Sequence, residues 1–175
     1  MAPEPVSATE RLHGRNVHLV AAHDDRPALP FATRSFDLVT SRHPIRTWWG
    51  EVARVLRPGG SFLSQQVGPH TLRELIEFLL GPQTGRSSRD PELARADAEA
   101  VGLQVVDLRS ERLRVEFMDV GAVVYFLRLV VWIVPGFSVA EYRERLQTLH
   151  QQIVHDGPFV AHSERFLIEA TKRSE

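Results

Sequence analysis

The chain of 175 residues contains no cysteine, which excludes disulfides, thiolate metal sites and cysteine nucleophiles. Lysine is nearly absent too: among 21 basic residues only Lys172 is one. The arginines are spread among 22 carboxylates and the net charge is −1, so nothing in the balance attracts nucleic acid or an anionic membrane. No apolar run reaches the ~20 residues that a membrane span needs. The most apolar stretch, residues 121–134, is interrupted by Arg128 and stopped by Pro135-Gly136. The first ten residues lack the basic and apolar regions of a signal peptide, so a cytoplasmic location is expected. Repeats and low-complexity tracts are absent as well.

What is present is the composition of an ordinary soluble domain, 43% hydrophobic and 25% charged, long enough to bury a substantial core. Residues 29–67 organise it. Residues 36–41 are apolar at Phe36, Leu38 and Val39, which predicts a strand covered on both faces. From 45 to 56, Ile45, Trp48, Trp49, Val52, Val55 and Leu56 fall at helical spacing. Arg57-Pro58-Gly59-Gly60 stops that helix, and residues 61–67 read as a second strand. Two parallel strands joined by a crossover helix form a βαβ unit.

Either side of this unit the pattern is plain. Residues 1–10 read as a loose tail, 16–22 as a short strand, and 23–28 as a polar loop. Thr71-Leu72-Arg73-Glu74 has capping-box spacing and predicts a helix through about Leu80. Residues 81–90 form a polar loop. Asp90-Pro91-Glu92 starts a helix that ends at Gly102; 103–108 follow as a strand and 112–117 as a weaker one. Residues 121–134 predict a buried or partly buried helix. Ser138-Val139-Ala140-Glu141 opens an amphipathic helix broken by Gly157-Pro158, and 163–171 form the last strand.

The motifs Asp25-x-x-x-Leu29-Pro30-Phe31, Ser35-Phe36-Asp37-Leu38-Val39 and Glu51-Val52-Ala53-Arg54-Val55-Leu56-Arg57-Pro58-Gly59-Gly60, in that order and spacing, resemble the second half of class I S-adenosylmethionine-dependent methyltransferases of the ubiquinone- and menaquinone-biosynthesis type. The resemblance implies an α/β fold: a reduced Rossmann-like methyltransferase sheet, mostly parallel with an antiparallel last strand and helices on both faces. It implies one partial domain over 11–175 with a helical insertion at 119–156 that would cover the substrate. It also implies S-adenosylmethionine as methyl donor and a small, apolar acceptor.

By the same resemblance, Asp25 and its neighbour Arg26 meet the donor's adenine, and Ser41, Arg42 and His43 border its methionine part. These three follow the carboxyl end of a strand, where open α/β sheets bind ligands. His43 is a weak candidate for general base, since its pKa lies near neutrality. Gln65 and Gln66 would line the substrate side, although a strand must point them to opposite faces. Asp37 is expected to fix backbone. The family's glycine-rich turn and its acidic residue for the ribose hydroxyls have no counterpart before Pro27, so a truncated domain is expected, with an exposed strand edge open to self-association. Two functions follow: a methyltransferase, or a non-catalytic remnant that works by association with itself or a partner.

Other constellations are weaker. Gly81-Pro82-Gln83-Thr84-Gly85-Arg86-Ser87 is one residue short of a phosphate loop and has arginine where lysine belongs. His13, His18 and His23 alternate faces on a strand and do not converge on a metal. Ser138 sits in an approximate nucleophile elbow but is better read as a helix cap.

Overall fold

The computed structural model describes residues 28–83 and 89–174. Four strands form one sheet in the order β1-β2-β4-β3: β1 Phe36–Arg42, β2 Leu56–Val67, β3 Leu103–Phe117 and β4 Phe159–Lys172. β1 and β2 are parallel, while β4 runs antiparallel to both β2 and β3. Three strands therefore share a direction and the last opposes them. The helices are α1 Trp49–Val55, α2 Arg73–Leu80, α3 Pro91–Ala100, α4 Val120–Leu129 and α5 Arg143–Asp156.

Side-chain alternation along β4 divides the core. Phe159 and Ala161 join an apolar cluster with Leu75 and Leu79 of α2, Val123 and Leu127 of α4, and Leu149 and Ile153 of α5. Phe166, Ile168 and Ala170 have the opposite parity and pack with Phe62, Val52 of α1, and Ala94 and Ala98 of α3. Since side chains alternate across a strand, the two groups of helices cover opposite faces. Each fully buried leucine or phenylalanine contributes roughly 1.5–3 kcal/mol, so the long β4 ties two half-cores together.

Several sequence boundaries move. The first helix begins at Trp49, because the Glu51 and Val52 amides take the Trp48 carbonyl (both 3.0 Å); Ile45 is left 88% exposed. It ends at Val55, and β2 starts at Leu56, five residues before the predicted strand. Phe36 pairs with Leu56 but Leu38 with Ser61, so residues 57–60 bulge. Gly59 takes φ +77, and a side chain at Gly60 would come within 2.9 Å of the Arg57 carbonyl oxygen. The only lysine has a structural task here: Lys172 Nζ donates to the carbonyls of Ala53 (2.6 Å) and Leu56 (2.9 Å), which α1 leaves unpaired at its end.

β1 is not covered on both faces. Among the described residues it is an edge strand, with Leu38 56% exposed. The two strands expected within 103–117 are one, because β4 pairs with β3 along almost its whole length, with a bulge at Val105/Asp107. The helix expected at 121–134 is shorter, Val120–Leu129, and is partly buried, with one face against the core. Asp119 caps it by accepting from the Ala122 amide (2.8 Å), whereas Tyr125 and Leu129 stay exposed. Ser138 does cap a turn, accepting from the Glu141 amide (3.2 Å), but helix geometry begins only at Arg143.

The capping box at Thr71–Glu74 does not form. Leu72 occupies the left-handed region at the helix start and no side chain caps it. Thr71 Oγ1 instead donates to the Glu164 carbonyl (2.7 Å) and accepts from its amide (3.1 Å). Glu74 accepts from the His162 amide (3.1 Å), and its Oε1 lies 2.7 Å from His162 Nδ1 and 2.8 Å from Arg112 Nη2. Both residues fasten α2 to the sheet.

Candidate active site

The motifs that signal the fold are mostly fasteners. Arg54 grips Glu51 through Nε (2.7 Å) and Nη2 (2.7 Å), and donates to the carbonyls of Phe31 (2.8 Å) and Leu29 (3.0 Å); Glu51 accepts from the Leu29 amide (2.6 Å). Arg57 Nη1 donates to both carboxylate oxygens of Asp37 (2.9 and 2.7 Å), an exposed ion pair between side chains where a bond from Asp37 to backbone was expected. These contacts lock the loop before β1 and the turn after α1, and so fix where the carboxyl ends of β1 and β2 emerge.

At those ends lies a cavity of about 490 Å³. His43 forms part of its wall, held by its own amide donating to the Gln65 carbonyl (2.8 Å) and by a positive φ of 50°. A non-glycine residue in that region carries strain that the surroundings must impose. The far wall is apolar and comes from α4 and the turn after it: Phe126, Val130, Trp132 and Ile133. Thr71, Ser163 and Arg165 complete it from the α2 start and β4.

Its electrostatics are cationic around a neutral imidazole. Desolvation, then the charges of Arg165 and Arg42, push the His43 pKa below its ordinary 6.5, against a hydrogen bond with Gln65 that works the other way. His43 is therefore neutral at pH 7, the form that accepts a proton. Arg165 is itself pushed down by desolvation and by Arg89 and Arg42, but an arginine keeps its charge. Arg89 lies 4.6 Å over the Trp132 ring, a cation–π contact at the cavity wall.

The pleat sorts the other residues singled out by sequence. Arg42 pairs opposite Gln65, and Ser41 opposite Ser64, so Arg42 and Gln65 share the face of His43 while Ser41 and Gln66 point the other way. Ser41 and Ser64 share a hydroxyl–hydroxyl bond (3.2 Å). Gln66 donates to Thr47 Oγ1 (3.2 Å) beside a second cavity of about 450 Å³ between α1 and α3. Asp25, Arg26, the strand expected at 16–22 and the three early histidines lie outside the described residues. Among the described residues no metal-binding cluster of His, Asp or Glu occurs, and no helix is long and apolar enough to cross a membrane. Sequence reasoning missed Arg165, Thr71 and Trp132, which reach the cavity from distant parts of the chain. A charged residue directly before the apolar run Phe166-Leu167-Ile168 was the only available signal.

Comparison with known proteins agrees with this architecture. Residues 2–64 match the family model described as a methyltransferase domain. Over 80 residues the chain is 38% identical to malonyl-[acyl-carrier protein] O-methyltransferase of Hahella chejuensis, a match covering 42% of this chain and 29% of that protein. Among solved structures, a Bacillus halodurans protein provisionally described as a methyltransferase shares the fold with a TM-score of 0.55 at 17% identity, over 85% of this chain and 69% of that one. The YcgJ protein of Bacillus subtilis does so with a TM-score of 0.52 at 21% identity, over the same shares. At such identities the structures speak for the fold alone. In its motifs, in the match over residues 2–64 and in its fold, this chain is similar to methyltransferases, and it spans under a third of the length of the Hahella chejuensis relative.

Proposed function

We propose that the protein transfers a methyl group from S-adenosylmethionine to a small, largely apolar acceptor held in the cavity at the ends of β1 and β2. The observation that carries this reading is the meeting of a strained, neutral His43 with an apolar wall at the strand ends of a methyltransferase-like sheet. Of the residues expected at the donor's methionine half, Arg42 and His43 keep that role in this reading, while Ser41 is turned to Ser64. Arg42 is exposed at the strand end without a carboxylate partner among the described residues, and suits an α-carboxylate. Asp25 and Arg26 remain our proposal for the adenine. When bound, the donor supplies an electrophilic methyl carbon on a sulfonium.

The chain's own part is to orient the acceptor, exclude water and take a proton. Trp132, Phe126 and Val130 form the dry wall, and the neutral His43 ring can accept the proton of an acceptor hydroxyl. Titration calorimetry with S-adenosylhomocysteine tests donor binding: saturable binding supports the reading, and none up to millimolar ligand sinks it. With an acceptor in hand, His43→Gln should cost ~10²–10⁴-fold in rate. Loss of the base-dependent limb of the pH profile should accompany it.

A second reading draws on β1, an edge strand among the described residues with Leu38 56% exposed. There the protein is a non-catalytic remnant that associates through that edge. Sedimentation showing a dimer that Leu38→Lys dissociates, with no donor binding, would favour it.

A further inference from the structure

Among the described residues, partly buried arginines find neutralising or aromatic company, with one exception. Arg54 pairs with Glu51 and Arg95 with Glu92, and Arg89 lies on Trp132. Among the described residues Arg165 has no carboxylate partner: its Nη1 donates to the Glu164 carbonyl (2.7 Å) and to Thr71 Oγ1 (3.3 Å), both neutral. A guanidinium carries five N–H donors, so most of its fork is unspent. It lines the 490 Å³ cavity, and none of that cavity's lining residues is acidic. A cation partly withdrawn from water without a counter-charge is unfavourable and is relieved by an anion, which a planar fork grips best as a carboxylate. The opposite side is hydrocarbon and aromatic: Phe126, Val130, Trp132 and Ile133. A volume of this size is typical of small-ligand pockets.

We propose that the cavity takes a small amphipathic hydroxy-carboxylate as methyl acceptor, with the carboxylate on Arg165 and the apolar body against Phe126, Val130 and Trp132; its hydroxyl oxygen would gain the methyl carbon as the donor's carbon–sulfur bond breaks, and its proton would pass to His43. The ligand's role as methyl acceptor rests on the methyltransferase reading, but the binding preference stands on Arg165 and the cavity alone. It amends the expectation of a purely apolar molecule: an uncharged ligand would leave Arg165 without a counter-charge.

Calorimetry on the full chain with decanoate and decanol, both below their aggregation limits, tests it. Decanoate should bind at least tenfold more tightly than decanol. Arg165→Gln should abolish that preference while leaving decanol unchanged, Arg165→Lys should keep most of it, and Trp132→Ala should weaken both ligands together. Equal affinities in the native chain, or an undiminished preference in a folded Arg165→Gln, would overturn the proposal. Should Arg165→Gln fail to fold, the native ratio and Arg165→Lys decide. S-adenosylhomocysteine titrated into the same samples separates the two readings. Donor binding without carboxylate preference refutes this inference alone, and the preference without donor binding refutes the methyltransferase reading alone.

Discussion

Replacing Glu74 with glutamine isolates the charge that fastens α2 to β4. Burial alone would raise this carboxyl's pKa. Hydrogen bonds from its own amide, the His162 ring and amide, and Arg112 outweigh burial and bring it from 4.5 to about 2. At ~1.4 kcal/mol per tenfold change in proton affinity, the ceiling on the charge's contribution is ~3 kcal/mol. The side chain is 32% exposed, and solvent screening reduces that to ~1–2 kcal/mol. A group whose folded pKa is depressed stabilises fully above its unfolded value, near 4.5, and loses that stabilisation as pH falls towards 2. Urea unfolding at pH 7 should thus show Glu74→Gln less stable by ~1–2 kcal/mol. The gap should narrow below pH 4.5 and close near pH 2, where the protonated acid resembles the amide. A gap that is absent at pH 7, or undiminished at pH 2, would refute the electrostatic account.

Other perturbations probe the same framework. Thr71→Val removes a buried hydroxyl that serves both the amide and the carbonyl of Glu164, and should cost ~1–3 kcal/mol in urea unfolding by orphaning the amide; the carbonyl keeps the Gly68 amide and Arg165. Gly68→Ala would place a Cβ 2.7 Å from Glu164 Cβ. Two backbone-anchored atoms must then part, so a loss of ~1–3 kcal/mol is expected, read as a lowered melting temperature. Arg54→Ala should leave the sheet intact yet speed hydrogen exchange at the Leu29 amide, which depends on the Arg54-held Glu51 carboxylate. Unchanged exchange there would show that the loop needs no clasp.

Much of the site's frame was legible because it is local or nearly so. The β-rich apolar run at 36–41, the breakers at Pro58-Gly59 and the cap at Asp90, whose side chain accepts from the Glu92 amide (2.9 Å), depend on neighbours within a few residues. Readings failed where a distant strand competed for the same groups. Thr71 and Glu74 have the spacing of a capping box, yet β4 offers amides and cations in a drier place. The weak strand at 112–117 becomes continuous because β4 pairs along it. His43 was visible as a residue following a strand, but the causes that lower its pKa, burial first and then Arg165 far along the chain, were not.

The sequence by itself determined a parallel β1–α1–β2 unit and the place where it stops, since these follow from side-chain period, proline and glycine acting over short range. It also determined the family resemblance, carried by residues that prove to be clasps: Glu51, Arg54, Asp37 and Arg57. Only the tertiary structure decided what fills the space at the strand ends. There β4 returns antiparallel, swings Arg165 beside His43 and lets α4 close an apolar wall over both. Contacts of that kind join residues more than a hundred positions apart, and no local pattern encodes which charges will meet or which will be left without a partner.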